Sequence, residues 1–318
     1  MISLQKTLLL LTLSSLSLSP AFANTSAHLV HKADGSVGKY LFLPVHYDAS
    51  HAREVLNRRA DLASVALPAS YQIPAALIPA VRDQGERGTC AYFSTIAITE
   101  AYYMAQSRNN SGINLSEECL ADVRDWMYDQ GTKYTGDDKP DQRPDPNGDF
   151  PASIVKTIEE NGVPLANKFG STDCRYSATD GRKVSLSAYL ASFKGANASR
   201  PYAKGLTYAQ NTAPTIEAVK ALLANNNPVE VGIIVYNEYM NESDWRFNAA
   251  VDVDSNIAGG HAITLTGYKT SGTKTIFTFK NSWGTSWGSA GYGTIDDGIL
   301  SHSWAYDPGY DFIVSLHN

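Results

Sequence analysis

The alternation of apolar and polar positions predicts helices in the first half of the chain and strands in the second. Residues 91–104 form an apolar run without Gly or Pro, and apolar positions at helical spacing recur in 151–161 and 216–223. β-Branched and aromatic runs predict buried strands at 229–235, 263–268, 275–279 and 291–295. This order of elements favours an α+β fold with two lobes and a groove between them.

Local signals define where two of these helices begin. Thr89 stands at the N-cap position of the first apolar run, which places Cys90 at the first helical position. Ser116 is followed by two acidic residues and predicts the start of another helix. The pattern further predicts a strand at 40–45, a charged helical stretch at 51–65 and irregular structure at 185–213.

The N-terminus has the pattern of a secretory signal peptide, residues 1–23. Lys6 supplies a positive charge, residues 8–18 an apolar core, and Ala21-Phe22-Ala23 a small-x-small cleavage site. A membrane anchor is the alternative, but the apolar stretch is short and is interrupted by serines and Pro20. We therefore expect the protein to be secreted to an extracellular, periplasmic or lumenal compartment after cleavage.

Net charge and cysteine content limit the classes of partner and cofactor that we expect. The 318 residues carry a net charge of −6, which provides no basic footprint for nucleic acid. The three cysteines are few for an exported protein, and they lack the C-x-x-C spacing of a metal site. We expect a monomer that uses no cofactor or metal and binds neither nucleic acid nor a membrane.

Cys90 is a candidate nucleophile. The first N–H groups of a helix have no intrahelical partner and that end of the helix is positive, which favours the thiolate. The same N–H groups can donate to an oxyanion, and Gln84, six residues earlier, can bring a side-chain amide to the same place. The alternative for a lone cysteine is an inert buried thiol in a helix.

A cysteine nucleophile requires a base and a group that orients the base. His261 stands in Gly-Gly-His-Ala-Ile-Thr at the mouth of a predicted strand, and Asn281 in Lys-Asn-Ser-Trp-Gly after the next one. With the Gln84 and Cys90 loop, these segments resemble the active-site segments of the papain-like cysteine peptidases, the papain and cathepsin family. The resemblance extends over about residues 67–318 and implies the papain-like fold, with a helical lobe at about 74–185, a β-rich lobe at about 186–318 and a cleft between them.

The resemblance also implies a role for each residue. Cys90 would attack the peptide carbonyl, His261 would exchange protons, and Asn281 would fix the imidazole tautomer. Gln84 would share the oxyanion with the Cys90 N–H. Trp283 would shield the His261–Asn281 bond from water, with an ordinary place in an aromatic core as the alternative.

A substrate-binding edge is implied by Asn147-Gly148-Asp149, which resembles the Asn-Gly-Gly of the family. The backbone of Gly148 would pair with the extended substrate. Asp149 replaces a glycine, and an acid there would favour basic or polar substrate side chains. The stretch Asp145-Pro146-Asn147-Gly148-Asp149 begins at the end of a polar insertion over 125–146; a calcium loop is its disfavoured alternative, and a solvated loop is favoured.

Family members are usually made as zymogens whose pro-segment lies across the cleft. We hypothesise that residues 24–66 form a short pro-segment, although they lack the long charged helical region that is usual in the family. The alternative is an N-terminal extension that packs on the domain.

The cysteine pattern departs from the family. The family usually has a cysteine at the position of Val123, and here Cys119 precedes it on the same helix face. Cys174 lies where the usual partner would be, so the resemblance implies a Cys119–Cys174 disulfide, with two free thiols as the alternative. The family's disulfide beside the nucleophile is absent, because Arg87 occupies one of its positions.

The resemblance predicts a thiol peptidase that hydrolyses protein or peptide substrates. Two alternatives remain at this stage: other acyl-transfer or amidase chemistry on the same fold, and a catalytically silent binding module. The silent module is expected to lack the nucleophile, the base or the orienting residue, and the chain has all three.

Overall fold

The computed structural model describes residues 28–40, 42, 45, 47–50, 52–53, 66–106, 113–129, 148–166, 185–192, 202–250 and 252–316. The signal-peptide prediction (1–23), most of the helical stretch at 51–65, most of the polar insertion, and Cys174 lie outside these residues. No helix in the described part of the chain combines the length and hydropathy needed to cross a membrane.

The described residues form six complete α-helices, and the three longest of them precede residue 162. They are α1 (Cys90–Gln106), α2 (Glu117–Asp129), α3 (Pro151–Asn161), α4 (Leu186–Ala191), α5 (Ile216–Ala224) and α6 (Asp297–Tyr306). The strands are β1 (His28–His31), β2 (Val37–Tyr40), β3 (Ser70–Gln72), β4 (Tyr208–Asn211), β5 (Val229–Tyr236), β6 (Asp244–Trp245), β7 (Ile257–Ser271), β8 (Lys274–Lys280), β9 (Tyr292–Asp296) and β10 (Ile313–Leu316).

One sheet of eight strands organises the second half of the described chain. Its strand order is β4-β10-β5-β7-β8-β9-β6, and β3 also pairs with β7. The ladders are antiparallel apart from the parallel β6–β9 pair. Strand β5 is buried along its whole length, as expected for a central strand with both faces covered. The predicted α+β class is confirmed.

Helix α1 lies between the helical part and the sheet. Its residues from Cys90 to Ala101 are all buried, and a helix that is apolar on every side requires cover on every side. It packs against α2 and α3 on one side and against β5, β7 and β10 on the other. The start of α1 is thereby held against the sheet.

The helices α1 and α2 begin where the sequence signals predict, but the side chain of Thr89 does not cap α1 as expected. The carbonyl of Thr89 accepts from the Phe93 N–H at 3.2 Å, but the Thr89 hydroxyl has no partner among the described residues. The Ser116 hydroxyl does cap its helix, accepting from the Cys119 N–H at 3.1 Å. Thr89 is thus an N-cap by backbone position and not by side-chain bond.

Some element predictions were wrong. The irregular stretch at 185–213 contains α4 and β4, and the strand expected at 40–45 lies at Val37–Tyr40, paired with β1. Strand β4 has no alternating pattern of its own and is ordered by pairing with β10. Helix α6 was not predicted; Asp296 caps it by accepting from the Ile299 N–H at 3.0 Å.

A buried ionic cluster holds the loop before α1. The Arg82 guanidinium pairs with Glu100 at 2.7 Å and also with Glu117. Glu100 accepts in addition from the Leu115 N–H at 2.6 Å. Burial raises the pKa of Glu100 to about 7 and lowers that of Lys280, which lies beside the cluster, to about 8. These groups connect α1 and α2 to the end of β8.

Cys119 is disulfide-bonded in the structure, whereas Cys90 is a free thiol. The third cysteine of the chain, Cys174, lies outside the described residues. The Cys119–Cys174 pairing therefore stays a prediction, and the state of Cys119 and Cys90 agrees with it.

A carboxyl group is buried between α1 and the sheet. Glu230 lies on β5 with no solvent exposure, and its Oε2 accepts from the Thr95 hydroxyl at 2.8 Å. Its Oε1 has no partner among the described residues. Burial raises the pKa of Glu230 to about 8. The side chain is therefore neutral at pH 7, because a buried carboxylate without a cation is unfavourable.

We predict that Glu230→Gln changes the pH dependence of stability. Below about pH 4.5 the glutamate is protonated in both states, so the pH-dependent term vanishes. Between about pH 4.5 and the folded pKa near 8, only the native state keeps the proton, so the parent loses stability at about 1.4 kcal/mol per pH unit from this group. The Gln variant should lack this loss, and its stability relative to the parent should rise through that window.

Urea unfolding of Cys90→Ala proteins at pH 5 and pH 8 measures the effect. Glu242→Gln, which removes an exposed carboxylate, is the matched control. An identical pH dependence in Glu230→Gln and its parent would contradict the prediction.

Candidate active site

Cys90 opens α1 and is 1% exposed. Burial raises the pKa of its thiol to about 11, although the backbone N–H groups of Ala262 and Ala91 donate to the sulfur and lower it. The Ala262 contact brings the sulfur beside β7, next to His261. The predicted nucleophile and the strand that carries the predicted base are therefore in contact.

His261 is bonded to Asn281 as the sequence predicts. The distance between His261 Nε2 and Asn281 Oδ1 is 2.8 Å, and Oδ1 also accepts from the Ser282 N–H at 2.8 Å. That second bond identifies Oδ1 as the oxygen, so Nε2 carries the imidazole proton. Nδ1 has no hydrogen-bond partner among the described residues and is left as the basic nitrogen.

Burial also acts on the base. It lowers the pKa of His261 to about 4, against the Asn281 bond, which raises it. With the thiol at about 11, the neutral thiol and neutral imidazole are favoured across the range between these values. Burial therefore favours the neutral form of both side chains in this structure.

Trp283 covers the imidazole. Its indole is stacked on His261 with the ring centroids 4.9 Å apart, and it has no solvent exposure. It also contacts Trp245 and Trp287 in an aromatic cluster. The position of Trp283 is thus compatible with both interpretations made from the sequence, a shield of the His261–Asn281 bond and a member of an aromatic core.

Gln84 is fixed at both ends of its side-chain amide. Its Oε1 accepts from the Ser282 hydroxyl, and its Nε2 donates to the Arg87 carbonyl at 2.7 Å. An amide nitrogen carries two hydrogens, so one remains for a ligand. The backbone N–H of Gln84 also donates to the Ser282 carbonyl at 2.8 Å, which ties this loop to the segment that carries Asn281.

The Asp149 carboxylate does not have the environment expected for a group that selects basic or polar substrate side chains. Oδ2 accepts from the Tyr92 hydroxyl and from Arg124 Nε, both at 2.7 Å, and the side chain is buried. A carboxylate neutralised by arginine cannot select a basic substrate through its charge. Gly148 beside it is buried, and Asn147 lies outside the described residues.

An N-terminal hairpin lies over the site, which the sequence did not predict. Strands β1 and β2 form a two-stranded antiparallel sheet, and the Tyr40 ring lies 5.1 Å from that of Trp283. Phe42, just after β2, places its ring edge-on to His261 with the centroids 5.8 Å apart. These aromatic residues contribute to the burial that shifts the pKa values of the catalytic pair.

Polar contacts fasten the same hairpin. Lys32 Nζ pairs with Asp83 Oδ2 at 2.6 Å, and the Tyr40 hydroxyl donates to Asp83 Oδ1 at 3.2 Å. The Ala33 N–H donates to the Ser286 carbonyl at 2.7 Å. Asp34-Gly35, with Gly35 at a φ of 83°, is a turn signal that could have revealed the hairpin.

Two further residues at the site escaped the sequence analysis. Ser282 holds both Gln84 and Asn281, and Arg87 supplies the carbonyl that receives the Gln84 amide. Ser282 follows directly on Asn281 and would have been found by listing every polar residue of that segment. Nothing in the local sequence signals the carbonyl of Arg87.

Comparison with known proteins gives the same family as the resemblance found in the sequence. The model of a family described as papain family cysteine protease matches residues 67–303. A cathepsin L-like proteinase of Fasciola hepatica is 24% identical over 216 residues, 67% of this chain and 55% of that protein. The chain spans about half the length of the curated relatives it matches.

Solved structures share the fold. Xylellain, a cysteine protease from Xylella fastidiosa, aligns with a TM-score of 0.55 at 19% identity, covering 87% of this chain and 92% of that one. Digestive procathepsin L 3 from Tenebrio molitor larval midgut aligns with a TM-score of 0.52 at 19% identity, covering 86% and 73%. The predicted two-lobed papain-like fold is confirmed, and the family match over most of the chain shows that it belongs to the papain family of cysteine proteases.

Proposed function

We propose that the protein is a cysteine peptidase that hydrolyses peptide bonds through Cys90, His261 and Asn281. The observation that carries the proposal is the hydrogen-bonded His261–Asn281 pair, in which His261 lies on β7, the strand whose Ala262 N–H donates to the Cys90 sulfur. A nucleophile, a base and an orienting group in one place are the minimum for acyl transfer.

In the proposed mechanism the Cys90 thiolate attacks the peptide carbonyl beside a protonated His261. The imidazolium gives its Nδ1 proton to the leaving amine, which departs and leaves a thioester on Cys90. His261 then takes a proton from water, which attacks the thioester and releases the acid. Asn281 keeps the ring in the tautomer whose Nδ1 faces the chemistry throughout.

The oxyanion of each tetrahedral intermediate is assigned to two donors. These are the Cys90 N–H at the start of α1 and the unused amide hydrogen of Gln84. Both donors are held before the reaction begins, which avoids reorganisation in the transition state. Gly148 is proposed to pair with the substrate backbone, and Asp149 to contribute through its main chain alone.

Other acyl-transfer or amidase chemistry would use the same groups, and a substrate profile distinguishes it from proteolysis. A silent binding module is disfavoured, because the described site retains every group of the mechanism. The proposed partners are protein or peptide substrates, acted on by a monomer exported after removal of residues 1–23.

Residues 24–66 are proposed to be an inhibitory pro-segment of the peptidase domain 67–318. The hairpin and Phe42 cover His261 and Trp283, where a substrate would have to pass. A procathepsin among the structural neighbours supports the proposal. Removal of this cover would admit water, lower the pKa of Cys90 and raise that of His261, so that the ion pair forms.

We predict that Cys90→Ala abolishes hydrolysis of casein and of a fluorogenic peptide amide, because it removes the assigned nucleophile. Asn281→Ala should lower kcat/KM by about 10² or more through loss of the tautomer, and Asn281→Asp should recover part of it by keeping an acceptor. Asn256→Ala, an amide that bonds Glu238 at the surface, is the control.

Hydrolysis that persists in Cys90→Ala would refute the assigned nucleophile. Irreversible labelling of the parent at residue 90 by an epoxide inhibitor, read by peptide mass, tests the same assignment independently of substrate choice.

We predict that Phe42→Ala speeds alkylation of Cys90 by iodoacetamide at pH 7 about 10-fold in the unprocessed protein. The physical reason is hydration of His261, which favours the thiolate–imidazolium pair. Leu29→Ala, an exposed apolar residue on the same hairpin, is the matched control. Intact mass must show that residues 24–66 are still attached. Equal rates in the parent and Phe42→Ala, or full activity with residue 24 still present, would overturn the pro-segment.

A further inference from the structure

Arg87 lies three residues before the nucleophile and is bound to helix α2. Its guanidinium contacts three carboxylates of that helix, Glu118, Asp122 at 2.9 Å and Asp125 at 3.8 Å. The Arg87 side chain is 4% exposed, and those of Asp122 and Asp125 are 2% and 6% exposed. This is a buried, multidentate attachment and not a surface ion pair.

The main chain of the same residue holds the oxyanion donor. The Arg87 carbonyl accepts from Gln84 Nε2 at 2.7 Å, while Ser282 binds the other end of the amide. Two fixed partners define the plane of the amide. Because the amide is planar, they also fix the direction of the second Nε2 hydrogen, which neither hydrogen bond uses.

The segment from Gln84 to Cys90 is held at its ends, by the bond of the Gln84 N–H to Ser282 and by the start of α1, and its middle contains Gly85 and Gly88. Gly85 adopts a φ of 62°, and a Cβ there would meet nothing within 4 Å. Gly85 makes one bond, from its N–H to Asp83 Oδ1 at 2.9 Å. Glycines lower the intrinsic stiffness of the segment, so the ion pairs of the Arg87 side chain add a restraint on the position of its carbonyl.

We propose that Arg87 is a positioning residue for the oxyanion hole. Its guanidinium anchors the loop to α2, and the anchored carbonyl aims the free amide hydrogen of Gln84. The inference rests on the proposed function and adds a residue that acts only through Gln84.

The choice of variant follows from the charges. Arg87→Ala would leave Asp122 and Asp125 buried without their cation, which is expected to unfold the region. Arg87→Lys keeps the charge but loses the planar fork, so one ammonium cannot reach Glu118 and Asp122 with the same geometry. Arg246→Lys, in a half-exposed pair with Asp244, is the matched control.

We predict that Arg87→Lys lowers kcat for a peptide amide by about 10- to 100-fold with KM nearly unchanged, because a donor displaced by a fraction of an ångström stabilises the transition state poorly. Alkylation of Cys90 by iodoacetamide requires no oxyanion hole and should keep its rate. In combination with Gln84→Ala the loss should not add: the double variant should equal Gln84→Ala alone.

Additive losses, an unchanged kcat, or a parallel fall in alkylation would overturn the inference. If Gln84→Ala itself has no effect on hydrolysis, the oxyanion role within the proposed function fails instead.

A readout independent of activity completes the test. In Cys90→Ala protein, the two side-chain amide protons of Gln84 should give well-separated resonances, because one is hydrogen-bonded and the other is not. Arg87→Lys should shift these resonances and speed their exchange, while Arg246→Lys should leave both unchanged. Unaltered Gln84 resonances in Arg87→Lys would refute the positioning role even in an inactive protein.

Discussion

The contact between the first turn of α1 and strand β7 is the constraint on which the site depends. The Ala262 N–H reaches the Cys90 sulfur, and the Ser94 and Thr264 hydroxyls lie 2.9 Å apart across the same interface. The proposed nucleophile therefore comes from the helical part of the chain and the proposed base from the sheet. The two residues reach one interface because a helix that is buried from Cys90 to Ala101 is packed against the face of the sheet. The relative positions of Cys90 and His261 are therefore set by the packing of the core.

Packing and reactivity impose opposite demands on this site. Burial stabilises the interface but disfavours the charged forms of Cys90 and His261, which the chemistry requires. The aromatic cover from Phe42 adds to the burial of His261, which keeps its hydrogen bond to Asn281. The structure therefore holds Cys90 and His261 in a low-dielectric environment that favours their neutral forms.

Local patterns predicted much of the fold and most of the site, for identifiable reasons. Helix α1 and the positions of Cys90, His261 and Asn281 follow from apolar periodicity and from short motifs. The hairpin contacts could not be predicted, because Tyr40 meets a carbonyl 243 residues away. The environment of Asp149 depended on Arg124, which belongs to another helix. Glu230 contradicts the apolar pattern of its strand, so only the partner on α1 explains it.

The attachment of Arg87 to α2 has a consequence for redox conditions. Members of the family usually place a disulfide beside the nucleophile, and here a guanidinium among carboxylates stands in one of its positions. A thiol nucleophile survives only where reductants keep it from oxidation, and the same reductants open disulfides by thiol exchange. An ionic attachment is indifferent to that exchange. The loop that carries the proposed oxyanion donor can therefore stay in place under reducing conditions that keep the thiol of Cys90 from oxidation.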